Sequence, residues 1–423
     1  MKKIVMLAAA FSAFVSSAEI TITGVTARQR WPWNNLVDID FMIGGAAEGE
    51  AYYVDVSGTY DNGNRSLFAK TFATEPIAAT GKNRVVWNLG ADYPEFKADD
   101  LVISVTATPF SDATPVYLVV DLSGGDSAAS YPVRYTTKAP VHTAGQNDPC
   151  KTTELWLKRV KAGTFTAGGG THDTWYKSHT CTLTQDFYLG VFELTQAQVS
   201  LIKSGNFKIT NTTYYKRNYS LFTNETYAAT RPVDSFRLDE VRGSHYSSWP
   251  STKTITDDCV CKRLQDRTGL AFDLPTEWQW EYACRAGTTD EQYPNAEYRY
   301  NANSKPPAEY EWYSEQQMWG EDYGTSYVDR YAPNPWGFYG MLGNVSEWCI
   351  NTYQSGITAG SNWTDPTGSG NNAQRMLKGG HWGQNTPYCH TSVAFDNANY
   401  GNGQNARFHH GARICLTIAN PEE

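Results

Sequence analysis

Between residues 19 and 122, apolar and polar side chains alternate with a period of two, in short segments separated by turn residues. This alternation is typical of β-strands that bury one face, because successive side chains of a strand point to opposite faces. Seven segments follow the pattern: 20–23, 36–41, 51–56, 67–72, 84–89, 101–105 and 116–120. An Asp-Asn-Gly turn at 61–63 fits a hairpin between two of them. The pattern predicts an all-β sandwich of immunoglobulin or fibronectin type over residues 19–123.

Residues 1–18 have the composition of a secretory signal peptide. Lys2 and Lys3 precede an apolar run at 4–15, and the small residues Ser-Ser-Ala follow at 16–18. The run is too short to cross a bilayer as a helix, and no later stretch is long enough. We therefore expect an exported protein, secreted or periplasmic, without membrane insertion.

Residues 124–150 are rich in Gly, Ser and Pro and are predicted to form a linker to a second domain at 151–418. The cysteines lie at or beyond the end of this linker: Cys150, Cys181, Cys259, Cys261, Cys284, Cys349, Cys389 and Cys415. Because exported proteins commonly contain disulfides, we expect most of these cysteines to be bridged, in a pairing that the sequence leaves open.

Composition excludes two classes of protein. The formal net charge is −9 and no run of Lys or Arg is present, which argues against binding to nucleic acid. Aromatic residues make up 14% of the chain and charged residues 19%. Disordered chains are rich in charge and poor in aromatic side chains, so this composition argues against a disordered protein.

Capping boxes predict two helix starts in the second domain, one from Thr195 to Gln198 and one from Thr276 to Gln279. A third helix is predicted at 257–267, ended by Gly269. Short strands and long loops separate these helices, so the pattern predicts an α+β fold with extensive coil.

Seven segments of the second domain resemble, in the same order, motifs of the formylglycine-generating, sulfatase-modifying factor family. They are residues 162–165, 186–195, 231–236, 274–287, 334–349, 378–382 and 411–413. The segment 274–287, Leu-Pro-Thr-Glu-Trp-Gln-Trp-Glu-Tyr-Ala-Cys-Arg-Ala-Gly, is a close match, although Asp273 replaces the family's Arg just before it. The resemblance implies a C-type-lectin-like α+β fold. It also implies kinship with exported members in which a β-sandwich precedes this domain.

The resemblance further implies a structural calcium ion at residues 343–347. Asn344 and Glu347 would supply side-chain oxygens and Val345 a backbone oxygen, and calcium prefers such ligands. The alternative is that Asn344 and Glu347 only form hydrogen bonds within the loop.

Active members of this family bind copper(I) through two cysteines and oxidise a substrate cysteine to formylglycine. One of these cysteines corresponds to Cys389, but the other corresponds to Gln384, and the family's serine corresponds to His381. Copper(I) prefers thiolate pairs, so we expect no copper site and no working copper oxidase. If oxidase activity survived, Cys389 and His381 would be its catalytic residues. An oxidoreductase that uses His381 on another substrate also stays open.

A binding module is the competing class of function. Residues 395–410 are rich in Asn, Tyr, Gly and His, a composition of adaptable recognition surfaces, and resemble the hypervariable ends of retroelement-diversified lectin-like proteins. An ordinary hydrated loop is the alternative. We expect an exported protein, a peptide or a glycan as the ligand. The predicted ligand-binding cleft consists of Gln384, Trp382, Trp348 and Arg413. A formylglycine-generating oxidase remains the alternative function.

Overall fold

A computed structural model describes residues 7–8, 20–30, 36–45, 51–110, 116–170, 176–203, 227–243, 249–251, 254–289, 324–368, 375–382, 389–396 and 409–418. The chain divides into two compact units. Unit 1 contains Met1–Val119 and Pro132–Ala139, and unit 2 contains Val120–Tyr131 and Pro140–Glu423. Strand β9, Tyr117–Asp121, spans the division between them. The signal peptide and the exact linker stay predictions.

Unit 1 contains two sheets. Its elements are β1 Leu7–Ala8, β2 Thr21–Gln29, β3 Leu36–Gly44, β4 Ala51–Tyr60, β5 Arg65–Phe68, β6 Ile77–Ala79, β7 Gly81–Asn88, α1 Leu89–Asp92, β8 Val102–Pro109 and β10 Val133–Thr136. One sheet has the order β2-β3-β7, and the other has the order β1-β8-β4-β5 with β6 also paired to β4. Every predicted segment contains part of a strand, so the period-two reading is confirmed, whereas the immunoglobulin or fibronectin topology stays a prediction.

Unit 2 is built from three groups of short strands and a few helices. Its strands are β11 Glu154–Val160, β12 Gly163–Ala167, β13 His179–Leu183, β14 Phe187–Gly190, β15 Ser346–Trp348, β16 Asn362–Thr364, β17 Met376–Lys378, β18 Ala394–Asp396, β19 His410–Gly411 and β20 Cys415–Thr417. They pair in the orders β11-β14-β20, β12-β13-β16 and β18-β17-β15-β19. Its helices are α2 Gln196–Ile202, α3 Leu238–Arg242, α4 Val260–Thr268 and α5 Glu277–Arg285, with 3-10 turns at Pro149–Lys151 and Ala228–Thr230.

Local sequence chemistry sets the ends of these helices. The side chains of Thr195 and Thr276 each accept a hydrogen bond from the backbone N–H three residues later. The side-chain oxygen of the glutamine at that position accepts from the backbone N–H of the threonine, so both predicted capping boxes are confirmed. Helix α4 begins at Val260, later than predicted, because Cys259 is its N-cap. It ends at Gly269, whose φ of 75° places it in the left-handed region. No described helix is long and apolar enough to cross a membrane.

Helix α5 supplies much of the core of unit 2. Trp278, Trp280 and Cys284 are buried on it, together with Phe338 and Met341 from the motif segment 334–349. The aromatic residues of the family motifs therefore pack against one another and hold loops that have little regular structure of their own.

The eight cysteines are buried and form no disulfides in the structure, against the disulfides predicted for most of them. They serve instead as small core side chains and local hydrogen-bonding groups. The Cys259 sulfur accepts from the backbone N–H of Lys262 at the start of α4. The Cys415 sulfur lies 3.9 Å from the side-chain oxygen of Gln279. The even number of cysteines thus did not predict bridging here.

Candidate functional site

Three chain segments meet at one edge of the β18-β17-β15-β19 sheet. Strand β15 is antiparallel to β17 and parallel to β19. The C-terminal end of β17 therefore lies at the same edge as the N-terminal ends of β15 and β19. Residues 379–382, residues 343–345 and His409 extend from this edge, so the topology brings together parts of motifs that are far apart in sequence.

Two histidine rings stack at this edge. The ring centroids of His381 and His409 are 3.8 Å apart and the rings are nearly parallel, with an angle of 13°. His410 packs edge-on against Trp348, with centroids 5.0 Å apart, and Trp348 donates from Nε1 to the Phe236 carbonyl at 2.7 Å. Burial, aided by the neighbouring His409, lowers the pKa of His381 to about 2. The His381 imidazole is therefore uncharged at neutral pH.

The predicted cleft residues do not all line a surface. Trp348 and Arg413 have no exposed area, and Trp382 is 4% exposed. Trp382 donates its backbone N–H to the Asn344 carbonyl at 2.9 Å. Gln384 lies outside the described residues. Trp348, Trp382 and Arg413 thus support the edge from within, and the partly buried His381 contributes to its surface.

Arg413 forms a buried ion pair with Glu347. Its guanidinium donates to both carboxylate oxygens of Glu347, from Nη2 at 2.8 Å and from Nε at 3.0 Å. Arg413 also donates to the carbonyls of Gly190 and Tyr339, at 2.8 and 2.7 Å. The indole of Trp280 donates to Oε2 of Glu347 at 2.7 Å, the oxygen that also accepts from Arg413 Nε. Charge and hydrogen bonds are thus satisfied together, as a buried pair requires.

A second buried carboxylate, Glu193, lies next to this pair. It accepts from the side chain of Asn344 at 2.6 Å and from the backbone N–H of Val345 at 3.2 Å. Burial, together with the nearby charge of Glu347, raises the pKa of Glu193 well above its usual value. We had not singled out Glu193 from the sequence, although it lies within the family-like segment 186–195.

The side chains predicted to bind calcium do not fit that ion as they are arranged. The Glu347 oxygens accept from Arg413 and Trp280, and the Asn344 side-chain oxygen accepts from the Ser326 backbone N–H at 2.8 Å. Calcium needs several oxygens directed at one point, and here those oxygens face donors instead. No cluster of three or more His, Cys, Asp or Glu side chains suited to a metal occurs among the described residues. Calcium binding was implied by the family resemblance alone, and these contacts favour its alternative, in which Asn344 and Glu347 only form hydrogen bonds.

From these contacts we expect the melting temperature to be the same in millimolar calcium as in excess chelator. An ion at this point would have to displace the Arg413 guanidinium, whose charge already compensates Glu347. Differential scanning calorimetry in calcium, magnesium and chelator measures this directly. A calcium-specific rise in melting temperature that Glu347→Gln removes would contradict the expectation.

The loss of the copper(I) site stays a prediction from the sequence. Cys389 is fully buried, and Gln384 occupies the position of its family partner. In the core of unit 2, burial raises the pKa of the Cys284 and Cys349 thiols well above the usual value, which disfavours the thiolates that bind copper(I).

The fold and motif residues correspond to a recognised class of domain. Residues 144–415 match the model of the sulfatase-modifying factor enzyme 1-like domain. The chain therefore belongs to the formylglycine-generating, sulfatase-modifying factor family, and the structure is mostly β with few helices.

Similar proteins include both active and inactive enzymes by name. The formylglycine-generating enzyme of Streptomyces coelicolor is 33% identical over 126 residues, which are 27% of this chain and 38% of that protein. The inactive C-alpha-formylglycine-generating enzyme 2 of Mus musculus is 32% identical over 110 residues, 24% of this chain and 35% of that protein. The chain thus matches less than two fifths of the length of these relatives. Among solved structures, Treponema denticola variable protein 1 aligns over 66% of this chain and 100% of its own, with a TM-score of 0.47 and 19% identity.

Proposed function

We propose that this protein is an exported binding protein, secreted or periplasmic, and not a copper-dependent oxidase. In this proposal unit 2 has a C-type-lectin-like fold and binds an exported protein, a peptide or a glycan. Unit 1 is an immunoglobulin- or fibronectin-like sandwich that acts as a spacer. The ligand surface is formed by His381, which the buried His409 supports, and by the segment 395–410, of which residues 397–408 lie outside the described residues.

The observation that carries the proposal is the stack of His381 on His409 at the sheet edge. The stacked imidazoles of His381, which is uncharged at neutral pH, and His409 combine a flat aromatic face with ring nitrogens that take part in hydrogen bonds. Aromatic faces combined with adaptable polar groups are common on recognition surfaces. His381 replaces the serine of the family motif, so the substitution changes this position from a small hydroxyl to a large ring.

The residues at the family's copper(I)-binding positions also support a protein that is not a copper-dependent oxidase. Oxidation by the family mechanism needs a copper(I) ion held by two thiolates, and this chain has Gln384 in place of one of them. A relative of comparable identity is itself named as an inactive formylglycine-generating enzyme, which is consistent with loss of the activity within the family.

Two assays separate the alternatives. The purified full chain is incubated with copper(I), oxygen and a Cys-x-Pro-x-Arg peptide, and aldehyde formation is followed by mass spectrometry; we expect none. Turnover that Cys389→Ser abolishes would overturn the proposal and establish the oxidase.

In parallel, the wild-type chain is screened on a glycan array and against a displayed random-peptide library. We expect binding that His381→Ser weakens and that Arg28→Gln, a change at an exposed site in unit 1, leaves intact. Binding that both variants retain in full, or a screen without any ligand, would contradict a ligand surface at the histidine stack.

The lowered pKa of His381 predicts how stability depends on pH. The unfolded chain takes up a proton at His381 below its ordinary pKa of 6.5, whereas the folded chain resists it down to about 2. Folding stability from this group is therefore complete above pH 6.5 and is lost as the pH falls, by about 2 kcal/mol between pH 7 and pH 5. Urea unfolding of wild type and His381→Ser at the two pH values measures the difference. An identical loss in both proteins would show that His381 titrates normally.

A further inference from the structure

Outside the histidine stack, unit 2 contains a small aromatic pocket formed by residues 326–331 and part of segment 334–349. The pocket is a surface depression with about 260 Å³ of space between its atoms, open solvent included, of which about 10 Å³ admits the centre of a water-sized group. Its walls include Tyr327, Arg330, Tyr331, Leu342 and Asn344. The proposed ligand surface does not use it.

The pocket combines one cation with tyrosine rings. The Arg330 guanidinium carbon lies 5.9 Å from the ring centroid of Tyr327 and 5.9 Å from that of Tyr331. Tyr227, which is 39% exposed, extends the aromatic surface, with its ring 4.9 Å from that of Tyr327. Tyrosine and arginine are the residue types most enriched at positions that dominate binding energy in interfaces.

Buried polar contacts hold the wall of the pocket from behind. Asp329, between Val328 and Arg330, points into the core and binds Lys151 at 2.6 Å and His142 at 2.8 Å. Burial opposes the Asp329 charge, but the hydrogen bonds from His142 and Lys151 outweigh burial and lower the pKa of this carboxyl.

Hydrogen bonds also hold the backbone on the N-terminal side of Asp329. Val328 donates to the Thr230 carbonyl at 3.0 Å, and Ser326 donates to the Asn344 side chain at 2.8 Å. Asn344 in turn accepts from the Trp382 backbone N–H, next to His381. A wall that is ordered before binding loses little conformational entropy when a ligand arrives.

We propose that this pocket binds the side-chain carboxylate of an Asp or Glu in an extended segment of a partner protein. The planar guanidinium matches a carboxylate in two parallel hydrogen bonds, and flanking rings exclude water and strengthen the pair. The tyrosines pack against the neighbouring residues of the segment. The protein as a whole carries a charge of −9, so Arg330 provides a local positive charge that distinguishes this surface from its surroundings.

A displayed library of random dodecapeptides, selected on the full chain, tests the proposal. We expect the enriched peptides to share an acidic residue. One peptide of that set is synthesised, and its dissociation constant is measured by fluorescence polarisation. Glu→Gln (or Asp→Asn) in the peptide and Arg330→Gln in the protein should each raise the dissociation constant about tenfold or more. Arg28→Gln should leave it unchanged. Equal melting temperatures of wild type and Arg330→Gln show that the variant is folded.

Several results would overturn the proposal. They are enrichment without a shared acidic residue, an unchanged affinity in Arg330→Gln, or loss of binding on amidation of the peptide C-terminus instead of on Glu→Gln. Arg330-dependent binding of an oligouronate without any peptide binding would also overturn it. The variant His381→Ser separates the two surfaces, since a peptide lost only in that variant belongs to the histidine stack. Binding that depends on Arg330 and persists in His381→Ser supports this pocket even if no ligand is found for the stack.

Discussion

Arg413→Met should reduce the free energy of unfolding by about 3–5 kcal/mol, because it leaves the buried Glu347 carboxylate without its cation. Arg413 has no exposed area and Glu347 is 1% exposed, so water cannot replace the lost interaction. The same guanidinium also counters the charge of Glu193, and its hydrogen bonds to Gly190 and Tyr339 join β14 to the motif segment. Guanidinium-chloride unfolding followed by tryptophan fluorescence measures the loss.

A second substitution separates lost charge balance from lost packing. In the double variant Arg413→Met with Glu347→Gln the buried charge is removed, while an oxygen remains to accept from Trp280. We expect this variant to be clearly more stable than Arg413→Met alone. Arg84→Met, which removes an exposed partner of Asp40 in unit 1, is the matched surface control and should have little effect. A double variant as unstable as the single one would show that the charge is not the cause.

Gly379→Ala should cause the second largest loss in the free energy of unfolding. Gly379 has φ of 90°, which strains any residue with a Cβ, and an added Cβ would lie 2.9 Å from the Met341 carbonyl and 3.1 Å from the Trp280 ring. Backbone strain costs roughly 1–2 kcal/mol, and overpacking a buried site typically adds about 1–3 kcal/mol. The same unfolding experiment gives the total.

Gly269→Ala is the matched control for backbone strain. Gly269 has φ of 75°, but an added Cβ would meet no atom within 4 Å. Its cost should therefore be the strain alone, about 1–2 kcal/mol. Equal losses in the two variants would show that the contact of Gly379 with Met341 and Trp280 relaxes freely.

The elements that local sequence chemistry controls could be predicted. The strands of unit 1 follow from period-two alternation, and the starts of α2 and α5 follow from Thr195 and Thr276. Helix α3 was missed because Arg237, its N-cap residue, has no side-chain acceptor; the start of the helix is held instead by the Arg237 backbone N–H, which donates to the Glu240 side chain at 2.9 Å. Strand β6 was missed because its three residues are too few to show a period.

The site could be predicted only in part. The motifs identified the segments that meet at the sheet edge, including His381 and Glu347, but not which side chains pair across long distances in sequence. Glu347 could be interpreted as a calcium ligand until the structure placed Arg413 against it, 66 residues away. Likewise nothing local to Asp329 indicates that His142 and Lys151 bind it. Such pairs depend on tertiary packing, which residue spacing does not encode.

Because the eight thiols are buried only after folding, the order of folding and thiol oxidation matters for this protein. Thiol–disulfide exchange needs an accessible thiolate, and burial both shields these sulfurs and raises the pKa of most of them, as for Cys181 and Cys261. The folded chain is therefore kinetically protected against oxidants, whereas an unfolded chain exposes every sulfur to them. If the protein is exported as we propose, folding competes with oxidation, and chains oxidised first would be trapped in cross-linked forms that cannot pack this core.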